Sequence, residues 1–174
     1  MTEAQIQRAL YWKHLSGVRR MLPNYTPHGW NEECDLYVVT RAMFTVEYEI
    51  KLSRADYRAD RRKARKHERL AARDPDDKGL PTRFFYVMPE DMVSAEEVPD
   101  YAGLFYVREI IDQYSSRVKL IQVRPAPRLS NHKRADATLH AMGETAYYRF
   151  WNERQRFEEY RRQVAQAKVF AAVP

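Results

Sequence analysis

The spacing of apolar residues changes several times along the chain, and each change predicts an element. Ile6, Leu10 and Tyr11 recur at helical intervals between Ala4 and Leu15, with Thr2 placed to cap the first turn and Gly17 near its end. Val18 to Tyr25 reads as a short strand or turn, because Met21-Leu22 runs into Pro23. Thr26 to Asn31 is a loop by its Pro, Gly and Asn. Asp35 to Thr40 is a strand, Arg41-Ala42 a tight connection, and Phe44 to Lys51 the clearest strand. In the last, Val46, Tyr48 and Ile50 alternate with Glu47, Glu49 and Lys51. Ser53 is positioned to cap one long basic helix reaching about Arg73, after which Asp74 to Gly79 breaks the chain.

Beyond that break, Arg83 to Met88 is a strongly apolar strand ending at Pro89. Glu90 to Tyr101 is polar, with room for one turn of helix. Gly103 to Val107 and Val118 to Val123 predict a hairpin turning across Asp112 to Ser116, and Pro125 and Pro127 end that section. Asn131 to Gly143 and Glu144 to about Phe170 predict two helices, the second carrying Tyr147, Phe150, Trp151, Phe157, Tyr160 and Val164 near one face. The pattern predicts an α/β chain: a mixed-sheet domain over 1–128, with residues 129–174 a helical extension packed on the same domain.

Composition narrows the function classes. With 174 residues, 44% apolar and 31% charged, the chain can bury a core and present a solvated surface. No apolar run is long enough to span a membrane, and the first residues form no apolar signal core, so a soluble cytoplasmic protein is expected. The single cysteine, Cys34, excludes an internal disulfide or a thiolate zinc cage, and its strand position predicts a small buried side chain. His132 and His140 have no acid at ligand spacing, which argues against zinc, and His67 has no partner spacing that supports a general base. The net charge is +6, yet Lys51 to Arg73 alone holds ten Lys or Arg against three acids, so the rest of the chain is close to neutral. Such a block suits a polyanionic partner such as DNA or RNA.

The chemistry gathers at Glu49-Ile50-Lys51. Residues two apart on a strand project to one face, so a carboxylate and an ammonium enter one site. The carboxylate can hold a divalent metal, and the ammonium can stabilise charge developing on a phosphate or position the attacking water. Asp35 can bring a second carboxylate from a neighbouring strand, a donor set that suits Mg2+, with Mn2+ able to substitute. Asp76-Asp77-Lys78 has the same spacing but lies in a turn-forming stretch. Glu47 shares the face of Glu49 and is expected at the solvent edge. Glu3 reaches the metal if the first helix packs beside the strands; otherwise it is a helix N-terminal acid facing water. Arg54, Arg58, Arg61 and Arg65 fall at helical spacing, as do Arg62 and Lys66, and are expected to contact phosphates. Asp56 and Asp60 are candidates to orient Lys51 or to pair along the helix. Tyr147, Tyr148, Phe150 and Trp151 can stack bases, but their spacing points rather to packing, including a homodimer through the C-terminal aromatic helix.

This arrangement resembles the PD-(D/E)XK nuclease superfamily. The run Tyr48-Glu49-Ile50-Lys51-Leu52-Ser53-Arg54-Ala55-Asp56-Tyr57-Arg58-Ala59-Asp60 is similar to the strand-to-helix junction of MmcB-like DNA-repair endonucleases, and Ala102 to Val107 and Val123 to Pro127 also resemble that family. The resemblance covers about residues 1–150. It implies a restriction-endonuclease-like αβββαβ core and Mg2+-dependent hydrolysis of DNA phosphodiesters, by endo- or exonuclease action, in DNA repair or phage DNA metabolism. Asp35 and Glu49 would be metal ligands and Lys51 the catalytic lysine. Asp35 follows Cys34 where the family motif has proline, and Arg62 to Lys78 is longer and more basic than the family pattern. A nuclease fold retained as a catalytically silent nucleic-acid-binding module is the alternative reading.

Overall fold

The computed structural model describes residues 1–27, 32–111 and 116–171. The chain is a mixed α/β protein. In order it forms α1 (Glu3–His14), β1 (Val18–Tyr25), β2 (Cys34–Thr40), β3 (Thr45–Ile50), α2 (Arg54–Asp60), α3 (Ala64–Ala72), β4 (Arg83–Pro89), β5 (Ala102–Ile111), β6 (Ser116–Arg124) and α4 (Asp136–Ala171). The six strands make one sheet in sequential order. β1, β2 and β3 run antiparallel, β3, β4 and β5 are parallel, and β6 returns antiparallel to β5. The parallel step from β3 to β4 needs a crossover, which α2 and α3 supply. The expected turn residues 112–115 and loop residues 28–31 lie outside the described residues.

Two compact units divide the chain, Met1–Asp136 and Ala137–Pro174. The first therefore runs past the expected boundary at residue 128. Leu129 belongs to its core, and Arg134 ties it together by donating to the Tyr37 hydroxyl at 3.0 Å and the Gly79 carbonyl at 2.7 Å.

Within the first unit the sheet has a core on each face. On one, Ile6 and Leu10 of α1 pack against Leu36, Val38, Val46, Tyr48, Ile50, Phe85, Val87 and Phe105. On the other, Tyr57 of α2 and Leu70 of α3 join Phe84, Tyr86, Met88, Val93, Val98, Tyr101 and Leu104. The arrangement is helix, sheet, helix, and β3 is covered on both faces. Gly103 is required on the first face: a Cβ there would stand 2.3 Å from the Phe85 ring and 2.6 Å from the Ala126 nitrogen.

Both predicted caps form. Thr2 and Gln5 make a reciprocal capping box at α1, and the Ser53 hydroxyl accepts from the Asp56 N–H at 3.1 Å. Three expectations change. The long basic helix is two helices, because Lys63 leaves helical geometry (φ −74, ψ 70) and the His67 ring bonds the Asp60 carbonyl at 2.9 Å. The break turns Tyr57 and Asp60 of α2, and then Lys66, His67 and Leu70 of α3, toward the sheet. Residues 90–101 form turns rather than helix, yet Val93, Val98 and Tyr101 still enter the core. The two expected C-terminal helices are one, which runs through Gly143. A helical glycine costs only about 1 kcal/mol, and i,i+4 pairs such as His140–Glu144 and Arg154–Glu158 span the helix.

The second unit is this helix, whose Tyr147, Tyr148, Phe150, Trp151, Phe157 and Tyr160 are exposed. No helix among the described residues is long and apolar enough to cross a membrane.

Candidate active site

β3 positions the central pair. Val46, Tyr48 and Ile50 face α1, so Thr45, Glu47 and Glu49 face α2 and α3. Lys51 continues the parallel pairing one residue further, its N–H donating to the Val87 carbonyl at 2.9 Å. The Lys51 ammonium returns to the Glu49 face and donates to Oε1 at 2.8 Å. The other Glu49 oxygen, Oε2, accepts from Lys66 of α3 at 2.6 Å. All three side chains are buried.

Asp35 reaches the same end of the sheet from β2. The β2–β3 pairing runs from Val39–Thr45 to Leu36–Tyr48 and stops there. The Ile50 N–H beyond it is taken by Asp35 Oδ2 at 2.5 Å instead, so a side chain replaces the ladder where the strands part. α1 holds this corner through Gln7, whose amide donates to Glu3 at 2.8 Å, Asn24 at 2.9 Å and the Asp35 carbonyl at 2.8 Å. Gln7 and Asn24 carried no sequence signal. Asn24 occupies the left-handed region (φ 50), which asparagine tolerates.

The electrostatics follow from this crowding of acids. Burial, and then the charge of Glu49, push the Asp35 carboxyl up to about 7; the Ile50 N–H and Lys51 pull the other way, and Glu3 adds to the rise. Burial works against the Lys51 ammonium, but Glu49 outweighs it and the pKa stands above its ordinary value. Glu47, expected at the solvent edge, is buried, and burial pushes it up to about 7 against the pull of Lys66 and Arg134. The reason is the layer above it: the polar face of β3 is roofed by α3, not by water.

Lys66 corrects a second expectation. It is not a surface phosphate contact but a buried ammonium, 3% exposed, bonded to Glu49 and 3.8 Å from Asp60 Oδ1. Burial lowers its pKa and the Glu49 and Asp60 charges more than restore it, leaving it raised. Asp60 is likewise buried: Oδ2 accepts from the Tyr86 hydroxyl at 2.7 Å and lies 3.3 Å from the His67 ring, while Oδ1 accepts no hydrogen bond. Burial would raise its carboxyl, but the His67 bond, Lys66 and Tyr86 hold it well below the usual range. His67 is enclosed, its Nδ1 bonded to the Tyr101 hydroxyl at 2.6 Å, and faces no open site. Asp56 stands 3.8 Å from Lys51.

Of the expected phosphate contacts, Arg54 pairs with Glu97 at 2.9 Å and Arg61 donates to the Tyr101 hydroxyl at 2.6 Å. Arg58, Arg62 and Arg65 are exposed and make no ion pair among the described residues. Cys34 is buried, as its strand position predicts. Burial and the neighbouring Glu47 and Glu49 charges raise its thiol well above the ordinary value, which disfavours a thiolate.

The donor chemistry fits a hard, largely hydrated cation. Among the described residues no three His, Cys, Asp or Glu side chains gather as a metal group, and Glu3 meets this corner through Gln7. Two carboxylates are too few for zinc but enough for Mg2+, which keeps several waters. Among the described residues one Asp35 oxygen accepts a hydrogen bond, from the Ile50 N–H, and its raised pKa comes first from burial and then from the Glu49 charge.

No family model matches the chain, and no curated protein matches it. A solved structure of a protein of unknown function from Silicibacter pomeroyi is similar to it with a TM-score of 0.49 and 21% identity, over 77% of this chain and 78% of that one.

Proposed function

We propose that the chain is a Mg2+-dependent nuclease that hydrolyses phosphodiester bonds in DNA, acting at the open end of β2 and β3. The observation that carries the reading is the convergence of Asp35, Glu49 and Lys51: Asp35 bonds the Ile50 N–H at 2.5 Å, and the Lys51 ammonium is 2.8 Å from Glu49. The element order α1, β1 to β3, α2–α3, β4 is also the αβββαβ order that the restriction-endonuclease-like resemblance implies.

In this reading Asp35 and Glu49 would hold the cation, which would supply Lewis-acid polarisation of the phosphate and a lowered pKa for a bound water. Lys51 stabilises the charge that builds on the phosphate oxygens as water adds to phosphorus and the ester P–O bond breaks. Its raised pKa keeps it charged for that role. Arg58, Arg62 and Arg65 hold the backbone by charge, without reading sequence. The C-terminal helix, with its exposed aromatic residues, is proposed as a homodimer surface.

One observation favours the rival reading, a catalytically silent nucleic-acid-binding module. Both Glu49 oxygens are already engaged by lysines. A panel of labelled single-stranded, double-stranded and branched DNA and of RNA, incubated with Mg2+, Mn2+ or EDTA, separates the two. The nuclease reading expects metal-dependent products that EDTA abolishes; retained binding with no product under any metal supports the silent module.

A further inference from the structure

Lys66 sits between two carboxylates that serve it unequally. Its Nζ is 2.6 Å from Glu49 Oε2 and 3.8 Å from Asp60 Oδ1. All three side chains are closed to solvent. Asp60 Oδ1 is a buried acceptor with no hydrogen bond, although its sister oxygen is held by Tyr86 and faces His67. A buried carboxylate oxygen left without a donor is costly. A lysine within about 1 Å of satisfying it therefore has a second resting place. The other nearby ammonium, Lys63, is half exposed, lies 3.6 Å from the same oxygen and is shared with Glu32 at 3.4 Å.

We infer that Lys66 is a positioning residue that holds Glu49 in register while the site is metal-free and transfers to Asp60 Oδ1 when a divalent cation takes Glu49 Oε2. This rests on the reading of Glu49 as a metal ligand. The transfer answers the observation that favours the silent module: Glu49 is engaged by lysines, but one of them has a prepared alternative. No proton moves. The ammonium exchanges one carboxylate partner for another, the cation's charge replaces its own at Glu49, and the Asp60 carboxylate remains fixed by Tyr86. It also gives Asp60 a function that the helix pattern hides, since Asp60 acts on the metal only through Lys66.

The test is Mn2+ affinity, read by electron paramagnetic resonance of free Mn2+, for the wild-type chain, Asp60→Asn, Lys66→Met and the double variant, with folding checked by circular dichroism. Asp60→Asn takes the charge from the second resting place, leaving only an amide oxygen there, and is expected to weaken Mn2+ binding roughly tenfold; Lys66→Met removes the competitor and is expected to tighten it by a similar factor. In the Lys66→Met background, Asp60→Asn is expected to change nothing. Charges acting merely through space would add, so equal effects of Asp60→Asn in both backgrounds overturn the inference, as does unchanged affinity in Asp60→Asn alone. Should Lys66→Met fail to fold, Lys66→Gln, which keeps a polar head without the charge, takes its place in the double-variant comparison. A wild-type chain that binds no Mn2+ overturns this inference and the metal reading together. Additive effects with intact Mn2+-dependent cleavage overturn this inference alone.

Discussion

The two faces of β3 are buried to the same degree and held by opposite chemistry. On the α1 side, Tyr48 stacks on Phe85 at 5.4 Å between ring centroids and meets Ile6 and Leu10; its only polar atom is answered by His14 at 2.6 Å. Burial there is favourable by itself, at about 25 cal/mol per Å² of apolar surface. On the α3 side, Glu47 and Glu49 lie in the same strand at 2% exposure. Taking such ions from water costs several kcal/mol each, and only a partner of opposite charge offsets it. The apolar face would be stable under any well-packed helix. The acidic face is stable only under a helix that brings Lys66.

The largest break in that comparison is Lys66→Ala. It leaves Glu49 with Lys51 alone and takes the buried ammonium from beside Asp60, and is expected to cost about 3–5 kcal/mol, read as a fall in the urea midpoint at pH 7.5. On the apolar face, Gly103→Ala drives a methyl into the Phe85 ring and is expected to cost about 1–3 kcal/mol with no dependence on pH.

Titration sharpens the contrast further. Asp35 and Glu47 have carboxyls raised from 3.8 and 4.5 to about 7 in the folded chain. The folded state therefore binds more protons than the unfolded one across that window, and stability falls as pH rises through it. Asp60, held below its ordinary value, works the other way and loses its contribution on acidification. Urea midpoints from pH 5 to 8 should decline, Glu47→Gln should remove part of the slope, and Mg2+ should restore stability above pH 7. The smallest effect belongs to the exposed arginines. Arg58→Ala, Arg62→Ala and Arg65→Ala should leave stability within about 0.5 kcal/mol. Each should weaken DNA binding with a salt slope reduced by roughly 1.

How far the site could be read beforehand follows from the same contrast. Alternation through Val46, Tyr48 and Ile50 identified the strand and put Glu49 and Lys51 on one side, and Thr2 and Ser53 marked where two helices begin. A period of two reports which residues share a face, not what covers it, so Glu47 read as solvent-facing. Lys66 lies in a run of cations and read as one more surface charge; its burial depends on the break at Lys63, which has neither proline nor glycine to announce it. The His67 ring bonds the Asp60 carbonyl across that break, a contact that residue spacing does not announce. Gly143 gave the opposite error, a local breaker overridden by its helical neighbours.

The central claim is that Lys51 and Glu49 form a phosphodiester-cleaving pair, and single-turnover cleavage of labelled DNA in Mg2+ by wild-type and Lys51→Ala chains at equal DNA occupancy tests it most directly. The account predicts a rate loss of about 100-fold or more with binding largely kept. Cleavage by Lys51→Ala at the wild-type rate would contradict it.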